Sequence, residues 1–319
     1  MSPALRRRAA FLLAGNAALL AWIWAILEEG GSFGRVIETA ASSCAPTVVA
    51  GLGLTGIIAS GAIDLSIGSI IAVCASVFGA LVQRGAPPAV CFAACVGTAA
   101  SLSILNGAAS RIFGIPPIIW TLAARSFYRG LALVIASVAV PGYLGNLTIA
   151  GEDYHSPGRQ HAGAILGAVL AFALAGEAWT KTPRLWLALG NSEEACRLQG
   201  LFPARISLGA FAVGGFLLGV GALVYVTQLQ TIEPARVAAG FELPVIGAVV
   251  LGGTNIFGGE GWYAGTVLGA FFLHFVDQVL AYEGVSVYWR DVLVGAAIVL
   301  VIGADCLLHR RRKLIEELG

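Results

Sequence analysis

The sequence predicts an all-α, polytopic membrane protein with about ten transmembrane helices, and three observations lead to this fold class. Of the 319 residues, 58% are apolar and only 12% are charged, whereas an ordinary soluble domain carries about 25% charged residues. The chain also contains 42 glycines, and small residues allow membrane helices to pack closely. Ten helices of about 20 residues would use about 200 residues, which leaves only short connections between them.

This composition excludes several classes of protein. It provides too little polar surface for a cytosolic globular enzyme and is too apolar for a disordered chain. The net charge of +1 argues against nucleic-acid binding, which needs a basic excess. Most of the six cysteines lie in apolar stretches, so we interpret them as small hydrophobic residues rather than as disulfides or metal ligands. The sequence predicts no catalytic residues, no metal site and no nucleotide site in this chain.

Hydropathy divides the chain into ten apolar segments, separated by polar or Gly- and Pro-rich breaks. The predicted spans are 9–27, 37–59, 66–83, 88–110, 115–138, 161–180, 206–228, 241–257, 262–282 and 287–306. The first resembles a signal peptide, but its apolar run is too long and lacks a clear cleavage site, so we interpret it as a retained span. With no linker or low-complexity segment, residues 1–319 are predicted to form a single transmembrane domain.

The distribution of Lys and Arg predicts that both termini are cytoplasmic. Ten spans place both ends on one side, so the two longest connections, 139–160 and 181–205, fall outside and inside respectively. Twelve of the 19 basic residues would then be cytoplasmic: Arg6, Arg7, Arg8, Arg111, Lys181, Arg184, Arg197, Arg205, Arg310, Arg311, Arg312 and Lys313. Only four would be external: Arg35, Arg84, Arg159 and Arg236. This excess follows the positive-inside rule.

The cytoplasmic connection 181–205 contains the signals of a short helix. Asn191 or Ser192 can accept hydrogen bonds at its start, and Glu193 and Glu194 would occupy its first turn, where the helix dipole favours anions. Gly200 suits the end of such a helix. A capped amphipathic helix on this face is a surface that a soluble partner could bind; the alternative is a connector lying at the lipid head groups.

Polar residues within the apolar segments form a second set of candidates. Asp64 follows Gly61 and precedes an apolar helix. An ionisable residue in such a place is a functional candidate, but Asp64 could instead satisfy the free N–H groups at the start of the next helix. For Asn106 and Thr121, which lie in apolar runs, interhelical hydrogen bonds and ligand contacts are both open.

Two arginines, Arg125 and Arg129, lie four residues apart on one face of the fifth predicted span. Guanidinium groups at membrane depth need a partner, a cavity or the interface, and Arg129 could reach the interface from near the span end. Three acidic residues are candidate counter-ions: Glu38, Glu177 and Asp277.

Four blocks of sequence occur in a fixed order across residues 40–305. They are 61–68 (GAIDLSIG), 106–107 with 115–122 (IPPIIWTL) and 129–132 (RGLA), 190–200 (GNSEEACRLQG), and 249–254 (VVLGGT) with 258–259. Together these blocks resemble permease subunits of bacterial ABC sugar importers of the ribose, xylose and arabinose type. Branched-chain amino-acid permeases belong to the same superfamily, and the Asp64-containing block favours the sugar branch.

The resemblance implies a non-enzymatic permease that binds no cofactor, because a separate cytoplasmic ATP-binding subunit binds ATP. It also implies a second permease copy or paralogue, a periplasmic sugar-binding protein, and a multi-pass location in the lipid bilayer of the bacterial inner membrane. The residues expected to couple to the ATP-binding subunit are Gly190, Asn191, Glu193, Glu194, Ala195, Arg197 and Gly200. The residues expected along the substrate path are Asp64, Asn106, Thr121 and Arg129.

Three residues depart from the family pattern, and the first is Ala62, which replaces a Gly. Arg125 replaces a usually apolar residue, and Glu260 stands where Arg or Ser is common, so the transported sugar stays open. A self-sufficient secondary transporter or channel and a branched-chain amino-acid permease are alternative functions. A secondary carrier normally needs intramembrane ion ligands, and Asp64 and Asp277 are the only Asp candidates.

Overall fold

The computed structural model describes residues 3–26, 33–139 and 146–286, with seven further positions between 289 and 303. Within these residues the chain forms twelve α-helices: α1 (Pro3–Ile26), α2 (Phe33–Ala59), α3 (Ile67–Gln83), α4 (Pro88–Phe113), α5 (Pro117–Ala139), α6 (Ser156–Arg159), α7 (Ala162–Trp179), α8 (Thr182–Asn191), α9 (Glu193–Leu198), α10 (Pro203–Gln228), α11 (Glu242–Leu251) and α12 (Tyr263–Tyr282). One short 3-10 helix, Glu152–His155, and two strands, β1 (Leu147–Thr148) and β2 (Thr231–Ile232), complete the described elements.

The predicted all-α membrane fold is confirmed. Among the described residues, seven helices are long and apolar enough to cross a membrane, namely α1, α2, α4, α5, α7, α10 and α12. The third and eighth predicted spans correspond to shorter apolar helices, α3 with 17 residues and α11 with 10 residues. Most of the tenth predicted span, 287–306, lies outside the described residues.

The eighth span differs most from its prediction, which extended over 241–257. Helix α11 stops at Leu251, and Gly253 follows with a φ of 98°, a backbone conformation that favours glycine. Hydropathy cannot separate a buried helix from buried irregular backbone. Such backbone is tolerated at membrane depth where protein surrounds it, and most of α11 is buried.

Glycine contacts hold the centre of the bundle together, where α10 packs against both α2 and α4. A Cβ atom added to Gly53 would lie 2.6 Å from the carbonyl oxygen of Gly214. One added to Gly219 would lie 2.8 Å from that of Val96. These backbone contacts confirm the expected close packing by small residues.

The connections between the helices lie at the two ends of the bundle. At one end, β1 pairs antiparallel with β2, with Leu147 opposite Ile232. At the other end, the ends of α2 and α8 meet the segment that follows α11, because the Gly259 N–H donates to the Ala59 carbonyl oxygen and the Asn191 amide donates to the Gly259 carbonyl oxygen. The two long connections predicted on opposite faces of the membrane, 139–160 and 181–205, are consistent with this arrangement.

Candidate functional site

The break between α2 and α3 is organised by a buried carboxylate. Asp64 is 1% exposed, and its Oδ1 accepts hydrogen bonds from the Ser66 N–H at 2.8 Å and the Ser66 hydroxyl at 2.6 Å. Helix α3 begins at Ile67, the next residue. Asp64 therefore supports the start of α3 through a turn one residue ahead of the helix, rather than by capping its first N–H groups.

Asn106 of α4 connects this turn to two aromatic side chains. Its Nδ2 donates to the Ser66 hydroxyl at 2.9 Å and lies 3.4 Å from Asp64 Oδ2. Its Oδ1 accepts from the Tyr128 hydroxyl at 2.8 Å and from the Trp120 indole at 3.2 Å. The amide of Asn106 is thus fully engaged by the chain itself.

Thr121 of α5 binds the same break from the other side. Its hydroxyl accepts from the Leu65 N–H at 3.1 Å and donates to the Ile63 carbonyl oxygen at 3.1 Å. Asn106 and Thr121 are both fully buried. Three of the four predicted path residues, Asp64, Asn106 and Thr121, therefore belong to one interior network. In the structure, Asn106 and Thr121 form hydrogen bonds between segments of the chain, which was one of the two alternatives for them.

Sequence reasoning did not identify Ser66, Trp120 and Tyr128 as members of this network. Tyr128 lies between the two arginines of α5 and Trp120 lies in the second motif block, and both are aromatic residues with a polar atom. Buried Trp and Tyr usually find a hydrogen-bond partner. That tendency was the only available signal, and it does not specify which partner.

The Arg129 guanidinium donates hydrogen bonds to backbone carbonyl oxygens in the segment that precedes α11. Its Nη1 donates to the carbonyl oxygens of Pro234 at 2.9 Å and Val237 at 2.8 Å, and its Nη2 lies 3.4 Å from that of Gly68. Gly68 belongs to the first turn of α3. The guanidinium therefore joins α5 to the starts of two short helices.

Arg125 is paired with Glu242, a residue that the sequence did not suggest. Arg125 Nη2 lies 2.6 Å from Glu242 Oε1, and the side chains are 46% and 5% exposed, respectively. As counter-ions of Arg125, the candidates Glu38, Glu177 and Asp277 were wrong. The reason is geometric: Glu242, in the first turn of α11, is buried beside Arg125 of α5, whereas a span over 241–257 would place it at a membrane surface.

The predicted helix in connection 181–205 is present as α9. The hydroxyl of Ser192 accepts from the Ala195 N–H at 3.1 Å, so Ser192 caps the helix. Gly200 follows with a φ of 75°, as expected for a glycine after a helix end. Asn191 has a different role: its Nδ2 donates to the carbonyl oxygens of Leu187 at 2.9 Å and Gly259 at 3.1 Å.

Four glycines bring three segments into backbone contact beside α9: Gly61, Gly190, Gly258 and Gly259, which we call the glycine junction. A Cβ added to Gly258 would lie 2.9 Å from Gly61 Cα and 3.1 Å from Gly190 Cα. A Cβ on Gly190 would overlap the Ala59 carbonyl oxygen. Only residues without a side chain fit at this approach, so the end of α8 is held against the end of α2 and the α11–α12 connection.

Ion pairs attach α9 to the end of α4. Glu193 Oε2 lies 2.8 Å from Arg111 Nη1, and Oε1 lies 2.6 Å from Arg197 Nη2. The hydrogen bond from Arg111, assisted by Arg197, lowers the pKa of Glu193 below its usual value. Cys196 is the buried member of α9, whereas Glu194, Ala195, Arg197 and Leu198 are exposed. This outward surface is free to meet a partner at the end of the bundle.

Within the described residues, no three His, Cys, Asp or Glu side chains come together as metal ligands. Cys44, Cys74, Cys91, Cys95 and Cys196 are buried, free thiols, and Cys306 lies outside the described residues. Their burial agrees with the interpretation of these five cysteines as small hydrophobic residues.

Comparisons with known proteins agree with the motif blocks. The family model of the branched-chain amino acid transport system permease component matches residues 36–302. The ribose import permease protein RbsC of Escherichia coli K12 is 30% identical over 260 residues, covering 80% of each chain. The autoinducer 2 import system permease protein LsrC of Photorhabdus laumondii is 29% identical over 284 residues, covering 86% of this chain and 82% of its own.

A solved structure shows the same fold. An inward-facing ABC transporter of the metal-chelate type aligns with 93% of this chain and 99% of its own, with a TM-score of 0.55 and 12% identity. The long sequence matches confirm the resemblance in the motif blocks. The chain therefore belongs to the permease-component family of branched-chain amino acid transport systems, together with the ribose and autoinducer 2 import permeases.

Proposed function

We propose that this chain is the permease subunit of an ATP-driven importer that carries a monosaccharide, of the ribose, xylose, arabinose or rhamnose kind, across the bacterial inner membrane. The main support for the proposal is that the four motif blocks, which are far apart in the sequence, contact one another in the structure. Blocks 61–68, 190–200 and 249–259 contact one another at the glycine junction. The block containing Asn106 and Thr121 binds the first through the Asp64 network.

The chain works with partners and is not an enzyme. An ATP-binding subunit, which binds the nucleotide, would dock on the outward surface of α9, with contacts from Glu194, Arg197 and the neighbouring coupling residues. A second permease copy or paralogue would complete the translocation path, and a periplasmic binding protein would deliver the sugar. The relatives named as ribose and autoinducer 2 import permeases support this assembly.

The end of the bundle that carries α9 would face the cytoplasm, with both termini on that side and residues 1–319 forming one transmembrane domain. The described basic residues support this orientation. Eight lie at the α9 end, where the Arg8 side chain contacts the Gly253 position: Arg6, Arg7, Arg8, Arg111, Lys181, Arg184, Arg197 and Arg205. Three lie at the opposite end: Arg84, Arg159 and Arg236. This bias is the one that the positive-inside rule describes.

The substrate path would run along the outward face of α5. A half-exposed guanidinium within a span has to face water or protein rather than lipid, and Arg125 lies on that face. Asp64, Asn106 and Thr121 would act behind this surface as positioning residues, and Arg129 would fix the start of α11. The path would bind the sugar weakly, because a tight site would slow its release.

Movement of the ATP-binding subunit would reach the path through rigid contacts. A displacement of α9 would move Asn191 and Gly190, which are in direct contact with Gly259 and Ala59. The end of α2 would then move the Asp64 turn, which is hydrogen-bonded to α4 and α5. The glycine junction is therefore the proposed link between ATP hydrolysis and the path.

Reconstitution separates this function from its alternatives. The chain would be placed in proteoliposomes with the ATP-binding subunit and binding protein of its own operon, and uptake of labelled pentoses and leucine would be measured. We expect pentose uptake that requires ATP and both partners. Uptake without the ATP-binding subunit would establish a self-sufficient carrier, and ATP-driven leucine uptake would establish a branched-chain amino-acid permease.

A further inference from the structure

A cavity of about 250 Å³ lies between α2, α7, α8 and the start of α12. Its lining includes Thr55, Glu177, Arg184, Trp186, Trp262 and Tyr263. It lies at the α9 end of the bundle, since α7 ends and α8 and α12 begin beside it. The volume is smaller than the roughly 300–1,000 Å³ of sites for drug-sized ligands, so it suits a compact polar group.

The cavity carries one charge of each sign. Glu177 is half-buried in the last turn of α7, where it lines the cavity together with Tyr263 at the start of α12. Arg184 is exposed on the first turn of α8. A ligand that satisfies both charges needs a cationic and an anionic group a short distance apart.

Aromatic rings form the rest of the wall. Trp186 is buried, and a Cβ on Gly56 would lie 2.8 Å from its ring, so the indole is held in place by α2. Trp179, at the end of α7, is 86% exposed. Exposed tryptophans at span ends mark the membrane–water interface. The cavity therefore opens at the depth of the lipid head groups.

We propose that this cavity binds the head group of phosphatidylethanolamine, with the ammonium on Glu177 and the aromatic rings and the phosphate on Arg184. Phosphatidylglycerol would bring its phosphate to Arg184, but its glycerol group offers the Glu177 carboxylate only neutral hydroxyl donors and no cation. A choline head group carries a methylated cation that can lie over an aromatic ring but has no N–H to donate to a carboxylate. The primary ammonium satisfies both kinds of partner.

A bound head group would stabilise the contact between α8 and α2, next to the glycine junction. The cavity wall includes Ala59 and Leu187, and these residues contact the glycine junction through the Gly259 N–H and the Asn191 amide. The lipid would thus hold α8 against α2. The binding is independent of the transported substrate, so its test does not depend on the sugar assignment.

Lipid retention tests the proposal directly. The full chain in complex with its ATP-binding subunit would be taken from nanodiscs of phosphatidylethanolamine and phosphatidylglycerol, and retained lipids would be counted by native mass spectrometry. Glu177→Gln and Arg184→Gln should each reduce phosphatidylethanolamine retention about tenfold, the effect of losing one charge-assisted hydrogen bond. Lys181→Gln and Glu260→Gln, which remove exposed charges at the same end outside the cavity lining, should retain it like the wild type.

Four outcomes would overturn the proposal: equal retention in all variants, preferential retention of phosphatidylglycerol, equal retention of phosphatidylcholine after lipid exchange, or displacement of the lipid by soluble glycerophosphoethanolamine at the same concentration. The last would indicate a site for a soluble phosphate ester. Thermal unfolding of each variant checks that it folds. If Glu177→Gln does not fold, the comparison of Arg184→Gln with Lys181→Gln decides, because both side chains are exposed.

Discussion

The Asp64 network and the glycine junction lie beside each other but are built by opposite means. Around Asp64, hydrogen bonds between side chains connect α4 and α5 to the break before α3, and Asn106 alone forms hydrogen bonds with four other groups. At the glycine junction there are almost no side chains, and three backbone segments touch directly. One region joins helices through directional polar contacts, the other through close approach.

This difference has a mechanical consequence. A buried, fully satisfied polar network specifies one geometry, since any displacement leaves an unpaired polar group at a large cost. The glycine junction has fewer directional contacts, namely the hydrogen bonds that join Gly259 to Ala59 and to the Asn191 amide, and its close backbone contacts transmit a push. We therefore expect substitutions at the junction to affect coupling and substitutions in the network to affect stability.

The largest effect should come from the glycine junction. In Gly190→Ala, the new Cβ overlaps the Ala59 carbonyl oxygen, so α8 has to move away from α2. We expect loss of binding-protein-stimulated ATP hydrolysis, with a cost in unfolding free energy of about 1–3 kcal/mol. ATP hydrolysis by the reconstituted complex and thermal unfolding in detergent measure the two effects.

Gly209→Ala is the matched control, because a Cβ at Gly209 meets no atom within 4 Å. It should keep full coupled hydrolysis. If Gly190→Ala also retains it, the junction does not transmit the ATP-driven movement, and the contrast with the Asp64 network fails.

The next effect should come from Asp64 itself. Asp64→Leu leaves the N–H and the hydroxyl of Ser66 without their acceptor, and each buried unsatisfied group costs about 1–3 kcal/mol. Asp64→Asn retains an acceptor for Ser66 and removes the charge, so it should lose less stability and keep more transport. Thermal unfolding and uptake measure the two variants. Equal loss of uptake in both would instead indicate that the charge of Asp64 takes part in transport.

The sequence predicted much of this architecture for reasons visible in particular residues. Ser192, Glu193 and Gly200 carry local signals of a capped helix, and α9 follows them. Gly61 and Asp64 likewise mark the break before α3. These features depend on neighbours in the chain, which is the information that a single sequence holds.

The partners across the fold could not be predicted in the same way. Glu242 pairs with Arg125 from 117 positions further along the chain, and Gly190 meets Gly258 only because α8 and the α11–α12 connection share one end. The early end of α11 also escaped prediction, because an apolar helix and apolar irregular backbone have the same hydropathy. Long-range contacts follow from packing, which hydropathy does not encode.

Substitutions of the Arg125–Glu242 ion pair should lower the unfolding free energy by an intermediate amount. They also separate an effect on stability from an effect on transport. Arg125→Gln leaves the Glu242 carboxylate, with only 5% of its side chain exposed, without its cation. Because Arg125 is half-exposed and water replaces part of the interaction, we expect a loss of about 1–3 kcal/mol rather than the larger cost of a fully buried pair.

The double variant Arg125→Gln, Glu242→Gln should recover most of the unfolding free energy, since no buried charge remains unpaired. Its uptake should stay low if Arg125 faces the substrate path. Chemical unfolding and uptake in the same proteoliposomes measure both quantities. Recovery of uptake together with stability would assign the pair a structural role only.

The smallest effect should appear at Glu193, where α9 meets Arg111. Hydrogen bonds from Arg111 and Arg197 lower the pKa of Glu193 below its usual 4.5. The attachment of α9 is therefore complete above pH 4.5, where the carboxylate is charged in any state, and it is lost as the pH falls through the lowered pKa. Because the pair is partly exposed, it stabilises by no more than about 1 kcal/mol.

A nitroxide label on Leu198→Cys, at a side chain that is 84% exposed, should become more mobile over that pH range. Arg111→Gln and Glu193→Gln should each leave the label mobile at every pH, because either change removes the ion pair between α9 and α4. An unchanged transition in Arg111→Gln would show that α9 is held by other contacts, with the glycine junction as its main attachment.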